Sequence, residues 1–330
     1  MRLTLQPLQR ALEVPAGTNL LEALRAHEIP VSYSCMAGRC GTCRCRLAAG
    51  KVRVADGAGA AAEICAGQQI LACQATLVED CAVELPEIDE VVVHPARLLK
   101  ATVTAIEALT HDIRRLRLRL NKPFAFSPGQ YAMLQFTPQH ARPYSMAVTP
   151  NPDEIEFHVR LVPGGRVTAY IAGALKVGDA VRVGGPLGTA YLRRKTTGPI
   201  LCVAGGTGLA PVLSILRGMA EAGMDNDVHV YFGARSQRDV YGQPWLQALR
   251  RELPGLACHV VVADGAPAPG DGYRGGLVTQ AIDDDWPALP GWTAYLAGAP
   301  AMVEAASALL QRKGVAPASI HADAFHASGD

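Results

Sequence analysis

The sequence predicts a multidomain chain of α+β and α/β class, built from three blocks in series. Three observations carry this. Seven of the nine cysteines fall within the first 81 residues, so a small cysteine-rich unit stands apart from the rest. Short alternating segments separated by Pro and Gly turns fill the middle, the pattern of an antiparallel β-barrel. In the last third, apolar strand runs alternate with helical stretches, which implies a parallel sheet covered by helices. The 330 residues allow two or three domains, and a composition 49% hydrophobic and 18% charged excludes wholesale disorder.

The first block, 1–94, opens with a short strand at Leu3 and Leu5, a turn and an amphipathic helix. Thr18 or Asn19 caps that helix, with Leu20, Leu21 and Leu24 on its inner face. The cysteine loop follows, then strand-like segments at 70–77 and 82–85. From Glu84 to Leu99 an acidic run with two prolines reads as a linker that becomes a strand near residue 92.

Within the loop, Cys35, Cys40 and Cys43 stand at the spacing C-x4-C-x2-C, with Cys73 at a distance in Leu71-Ala72-Cys73-Gln74. This is the plant-type [2Fe–2S] pattern. Four thiolates must converge on two irons from one loop and one strand end. Gly38 and Gly41 let the loop curl and aim N–H groups at anionic sulfur. The rival is a structural zinc site with four cysteine ligands, which usually shows two paired C-x2-C knuckles; one pair is present here. Cys65 and Cys81 are rival fourth ligands. Otherwise Cys45, Cys65, Cys81, Cys202 and Cys258 read as small hydrophobes filling core gaps.

The second block, 95–195, carries the alternating runs 101–109 and 113–120. Its turns are Ser127-Pro128-Gly129, Pro163-Gly164-Gly165 and Gly184-Gly185-Pro186. In it Arg142-Pro143-Tyr144-Ser145 precedes Phe157-His158-Val159-Arg160 and then Gly165-Arg166-Val167-Thr168. Each is weak alone; in this order they supply what a flavin needs. Arg142 suits a pyrophosphate, Tyr144 is a flat ring for the isoalloxazine, and Ser145 is a donor near N5. The helix start at Gly165–Thr168 takes phosphate. His158, Val159 and Arg160 join this cofactor-binding set.

The third block, 196–330, has strands at Pro199–Ala204, Val228–Phe232, His259–Val262 and Thr293–Leu296. The first runs into Gly205-Gly206-Thr207-Gly208 and an amphipathic helix, a strand–glycine–helix cradle for phosphate. Gly206, Thr207 and Gly208 are its candidate contacts. After the second strand, Arg235, Ser236 and Arg238 tolerate a 2′-phosphate, and no acidic residue stands immediately at the strand end. NADH is the first choice and NADPH stays open.

Net charge is +1, which points neither to nucleic acid nor to an anionic membrane. No apolar stretch reaches a membrane span and the start has no signal-peptide core, so a cytoplasmic monomer is expected. Residues 1–90 carry eight Lys/Arg against eleven Asp/Glu, yet 29–55 hold no acid and include Arg39, Arg44, Arg46, Lys51 and Arg53. Such cations raise a cluster's potential and suit an acidic electron acceptor.

Together these motifs resemble the ferredoxin–NADP reductase superfamily with a plant-type ferredoxin fused in front. More narrowly they resemble the ferredoxin reductase components of naphthalene dioxygenase-type systems. The resemblance spans the chain, through Ser32–Met36, Gly38–Arg46, Val93–Arg97, Arg142–Met146, Gly205–Pro211 and His321–Phe325. It implies a β-grasp [2Fe–2S] domain, an FAD-binding barrel (FAD rather than FMN) and an NAD-binding α/β domain. It also implies Phe325 on the flavin face opposite Tyr144, with Gly298 and Met302 near the nicotinamide. On this basis Tyr144, Ser145 and Phe325 are the catalytic candidates, and the electrons pass to a Rieske-type ferredoxin feeding a ring-hydroxylating dioxygenase. The alternative is a multicomponent monooxygenase whose hydroxylase is reduced directly. One departure is Ala297, where the family usually has Cys beside the hydride path.

Overall fold

A computed structural model describes residues 1–27, 29, 31, 38, 43–55, 61–85, 92, 94–150, 154–265 and 272–326. Cys35, Cys40, Arg39, Gly41, most of the linker and the 266–270 loop lie outside the described residues. The chain divides into two compact units, Met1–Val93 and His94–Asp330.

The first unit contains β1 (Arg2–Gln6), β2 (Arg10–Glu13), α1 (Leu20–Ala26), β3 (Arg44–Ala49), β4 (Lys51–Ala55), β5 (Ala61–Cys65), β6 (Gln69–Leu71), β7 (Ala75–Leu77) and β8 (Cys81–Glu84). Its main sheet runs β2-β1-β8-β3-β6, with β1 and β8 parallel, and a small sheet runs β5-β4-β7. The helix α1 forms because Asn19 caps it: the Asn19 side chain accepts from the N–H groups of Leu21 (3.0 Å) and Glu22 (3.3 Å). Such a cap is worth about 1 kcal/mol. The capping side belongs to Asn19 and not to Thr18, whose hydroxyl donates to Pro15. Leu20, Leu21 and Leu24 bury against Leu3, Leu5, Leu47, Leu77 and Val83, a sheet with one helix crossing it.

Two expectations are corrected here. The 70–77 segment is two strands, because Cys73 occupies a turn between β6 and β7. Cys65 is exposed on the edge strand β5 and fills no core gap.

In the second unit a six-stranded antiparallel sheet runs β12-β11-β14-β9-β10-β13. Its strands are β9 (Arg97–Ala108), β10 (Ile113–Leu120), β11 (Tyr131–Thr137), β12 (His140–Ser145), β13 (Glu154–Arg160) and β14 (Ala180–Leu187). Strand structure starts at Arg97, later than residue 92. A bridge between Met146 and Phe157 closes the sheet on itself. Inside, Leu116, Leu118, Leu134, Phe157 and Val183 are fully buried, and α2 (Arg166–Gly173) adds Val167 and Ile171.

The remaining elements are β15 (Ile200–Gly205), α3 (Leu209–Glu221), β16 (Val228–Ala234), α4 (Gln243–Glu252), β17 (Leu256–Val262), β18 (Arg274–Gly275), α5 (Val278–Asp285), β19 (Thr293–Gly298), α6 (Pro300–Arg312) and β20 (Ile320–Ala324). They form a parallel sheet in the order β18-β17-β16-β15-β19-β20. From β15 the chain first winds outward through β16 and β17, then returns to the other side at β19. That reversal opens a crevice at the carboxyl ends of β15 and β19, where such sheets bind ligands. No helix among the described residues is long and apolar enough to cross a membrane.

Candidate redox site

The crevice is lined by the glycines that the sequence singled out. After β15 the chain makes a 3-10 turn, Gly206–Gly208, and enters α3. Gly206 has φ +54°, and a Cβ on it would lie 3.2 Å from the Arg160 guanidinium. A Cβ on Gly208 would sit 2.0 Å from the Ala297 carbonyl oxygen, so this turn is wedged against β19. On the other side Gly298 (φ +144°) and Gly205 both pack on the Met302 thioether. The glycines of this turn carry no side chains of their own, which leaves their N–H groups open to a phosphate at a helix start. The residues therefore fit a nucleotide.

The barrel contributes β12. Tyr144 is half-buried against the barrel core, and burial pushes its phenol pKa up. Arg142 donates to the Ala141 carbonyl at 3.0 Å, and no carboxylate pairs with it among the described residues. Its charge is thus left for an anion. Ser145, buried at the strand end, donates to Asp323 Oδ2 at 3.1 Å, joining β12 to β20. Phe325 follows β20 and is fixed by its N–H, which donates to the Gly298 carbonyl at 2.8 Å. Sites separated by 178 residues in sequence thus meet beside the cradle. At the α2 start, Gly165 is the N-cap, Val167 is buried, and the Thr168 hydroxyl donates to the carbonyls of Val162 and Gly165. Arg166 opens the helix.

Three further residues of the expected flavin set lie together on β13. Val159 is buried in the barrel core. The His158 ring is buried against Tyr241 and Trp245. Arg160 stands over Gly206 and is paired with Asp112 at 3.0 Å. The reason is strand alternation: Glu156, His158 and Arg160 share the outer face of β13, which packs on the glycine turn.

Asp239 was not foreseen. It accepts from the Ser236 N–H (2.8 Å) and hydroxyl (2.6 Å) in a capping box. The Ser-x-x-Asp spacing was the available signal. Arg235 is exposed beside it.

In the first unit, Asn19 joins the helix cap to the cysteine turn by donating to the Cys73 carbonyl at 3.0 Å. The Cys73 N–H donates to Cys43 Sγ at 3.5 Å, and the Gln74 amide reaches Cys73 Sγ at 3.8 Å. The hydrogen bond with Cys43 leads the interactions that lower the Cys73 thiol pKa to about 6. Gly38 (φ +75°) lies so close that a Cβ on it would meet Gln74 Cγ at 2.8 Å. Thiolate character and donors aimed at sulfur fit an iron–sulfur cluster. Arg46, expected among the free cations, is held by Glu84 at 2.6 Å across β3 and β8, while Arg44 is exposed.

The buried Asp323 carboxyl is pushed up to about 6, chiefly by burial, with the Ser145 hydroxyl pulling the other way. An unfolded Asp titrates near 4, so between about pH 4 and pH 6 the folded chain keeps a proton that the unfolded chain has lost. Stability from this group therefore falls as pH rises through that window. Asp323→Asn has no proton to lose. Its melting temperature relative to wild type is expected to rise between about pH 4.5 and about pH 7.5, reflecting up to about 2 kcal/mol. A difference that stays flat with pH would mean that Asp323 is ionised throughout.

A cysteine-bearing β-grasp unit, a closed barrel whose Arg142 has no carboxylate partner among the described residues, and a parallel sheet with a glycine cradle together define an iron–sulfur flavoprotein reductase. Residues 3–78 match the 2Fe-2S iron-sulfur cluster binding domain, 100–191 the oxidoreductase FAD-binding domain, and 202–308 the oxidoreductase NAD-binding domain. The chain is 57% identical over its whole length to the ferredoxin–NAD(P)(+) reductase component of naphthalene 1,2-dioxygenase/salicylate 5-hydroxylase systems from a Ralstonia species, covering 100% of both chains. It is 53% identical, again over 100% of both, to the corresponding component of the Pseudomonas putida naphthalene 1,2-dioxygenase system. Among solved structures it resembles the Amycolatopsis cytochrome P450 reductase GcoB, at 34% identity and TM-score 0.75, covering 98% of each chain. The chain belongs to the ferredoxin–NAD(P)+ reductase components of naphthalene dioxygenase-type systems. It is an electron-transfer oxidoreductase of FAD, a [2Fe–2S] cluster and NAD(P)H.

Proposed function

We propose that the chain takes electrons from NADH and delivers them singly to a Rieske-type ferredoxin, which feeds a ring-hydroxylating dioxygenase of naphthalene type. The observation that carries this is the Ser145–Asp323 hydrogen bond, because it brings the flavin strand of the barrel to the mouth of the nucleotide crevice. FAD, when bound, converts a two-electron donor into one-electron steps, and the cluster relays single electrons.

The chain's own residues position these groups. Cys35, Cys40, Cys43 and Cys73 hold the cluster within residues 1–94. Residues 95–195 hold the flavin: Arg142 and the Gly165–Thr168 helix start meet its pyrophosphate, Tyr144 and Phe325 bound its ring, and Ser145 with Asp323 holds a proton beside it. Residues 196–330 hold the nucleotide, with Gly206, Thr207 and Gly208 at its phosphates and Gly298 and Met302 beside the nicotinamide. Ala297, where the family usually has Cys, is buried on β19. NADH is favoured because the Ser236 hydroxyl is already engaged by Asp239, whose carboxylate repels a 2′-phosphate. The protein acts as a cytoplasmic monomer.

Purified protein is expected to show flavin and iron–sulfur bands that bleach with NADH, and a higher kcat/KM for NADH than for NADPH. Product formation by the dioxygenase should require the ferredoxin. Direct reduction of a hydroxylase without a ferredoxin would support a monooxygenase system instead. A colourless protein holding zinc would overturn the redox reading.

A further inference from the structure

The core around the nucleotide turn contains a polar chain that the redox chemistry does not use. His158 Nε2 lies 3.2 Å from Glu156 Oε1, and His158 Nδ1 lies 3.1 Å from the Tyr241 hydroxyl. The Tyr241 oxygen lies 3.4 Å from the carbonyl of Gly206. Tyr241 is buried among Leu209, Leu213, Phe232 and Leu246, an otherwise apolar cluster. Trp245 stacks on the His158 ring at 5.3 Å, and Arg115 both covers Trp245 and donates to Glu156 at 2.7 Å.

The protonation pattern is fixed from one end. Hydrogen bonds from His158 and Arg115 hold the Glu156 carboxyl at about 2 against the opposing effect of burial. Burial keeps His158 neutral. An ionised Glu156 then takes the Nε2 hydrogen, which leaves Nδ1 as an acceptor for the phenol. The single phenol hydrogen is then shared between His158 Nδ1 at 3.1 Å and the Gly206 carbonyl oxygen at 3.4 Å, which holds Tyr241 at one orientation against Gly206. Apolar residues would fill this space with no desolvation cost. What the polar chain adds is direction, since every member of it is hydrogen-bonded to its neighbours in the chain. It runs from the outer face of β13 to the first residue of the glycine turn, and Arg160 of the same face packs on that same residue.

We infer that Tyr241, oriented by His158 and Glu156, is a positioning residue for the pyridine nucleotide: it sets the glycine turn at Gly206 against β13, so dinucleotide affinity depends on a buried phenol acting through the backbone. The inference rests on the nucleotide occupying the glycine turn.

The test uses full-length holoprotein, titrated with NAD+ in the oxidised state, for wild type, Tyr241→Phe, His158→Gln and the double variant. Losing one buried hydrogen bond should raise the Kd about three- to tenfold in each single variant. The double variant should be no weaker than about the worse single, because both remove the same chain. KM for NADH should rise by more than kcat falls. Flavin content and melting temperature are followed alongside. A Kd within twofold of wild type in Tyr241→Phe, or fully multiplicative effects in the double variant, would overturn the inference while leaving the nucleotide site intact. A wild type that binds neither NAD+ nor NADH would overturn both. Should Tyr241→Phe yield no holoprotein, His158→Gln carries the same comparison: a raised Kd supports the chain and an unchanged one overturns it.

Discussion

Gly208→Ala is expected to unfold the nucleotide-binding part of the chain at temperatures where Gly205→Ala leaves it folded. Both are single added methyl groups in the same loop, and the difference lies in what the methyl meets. At Gly205 it meets Met302 Sδ at 2.7 Å, the far end of a flexible side chain that can rotate away. At Gly208 it meets the carbonyl oxygen and carbon of Ala297 at 2.0 and 2.5 Å and the N of Gly298 at 3.0 Å. These are main-chain atoms of β19, hydrogen-bonded into the sheet between β15 and β20. They can yield only if the sheet moves. Gly208 has φ −60°, which any residue adopts, so the penalty is purely one of contact. Overpacking a core costs about 1–3 kcal/mol and sometimes more, and backbone against backbone belongs at the upper end. For a unit of this size that lowers the melting temperature by roughly 6–10 °C, readable by differential scanning fluorimetry. Nucleotide binding should be lost with it, because the turn that borders the crevice is the part displaced. A Gly208→Ala protein as stable as Gly205→Ala would mean that the turn does not rest on β19.

The same loop marks how far the sequence could be read. An apolar run, a cluster of glycines and an amphipathic helix are local features, so the cradle was legible. The cysteine spacing is local too, as is the cap on α1, where only the choice between Thr18 and Asn19 stayed open. What was not legible depends on which strands pair. The contacts of His158 with Tyr241 and of Arg160 with Gly206 were not foreseen. Alternation along β13 sends both to the face that packs on the glycine turn. Arg46 looked like a free cation until β3 paired with β8 and set Glu84 opposite it. Asp323 became a site residue only when β20 joined the sheet edge and met Ser145. Each of these contacts joins groups tens of residues apart or more, brought together by tertiary pairing that no local pattern encodes.

Cys73→Ala is expected to purify with its flavin but without iron–sulfur absorbance. Reduction of the flavin by NADH should survive, while delivery to a ferredoxin should fall to background. The alternatives for the fourth ligand separate on environment. Cys65 is exposed on the edge strand β5, apart from the buried Cys43 and Cys73. Burial pushes the thiol of Cys81 up to about 11 and that of Cys45 up to about 12, which makes the loss of their protons to a metal more costly. A thiol must be deprotonated to ligate. Cys73 differs in its thiol and in its hydrogen bonds. Its thiol is held near neutrality, and its N–H points at Cys43 Sγ. Its backbone is fixed at three points. Asn19 holds its carbonyl, Ala72 donates to the Cys43 carbonyl at 2.9 Å, and Gln74 donates to the Leu71 carbonyl at 2.9 Å. None of these bonds uses the Cys73 thiol, so alanine at 73 should cost the fold little while removing the ligand. The comparison is made by iron content and visible spectra of Cys73→Ala beside Cys81→Ala and Cys65→Ala. If Cys81→Ala lost the iron and Cys73→Ala kept it, the turn between β6 and β7 would be a packing feature and the cluster would have to sit against β8.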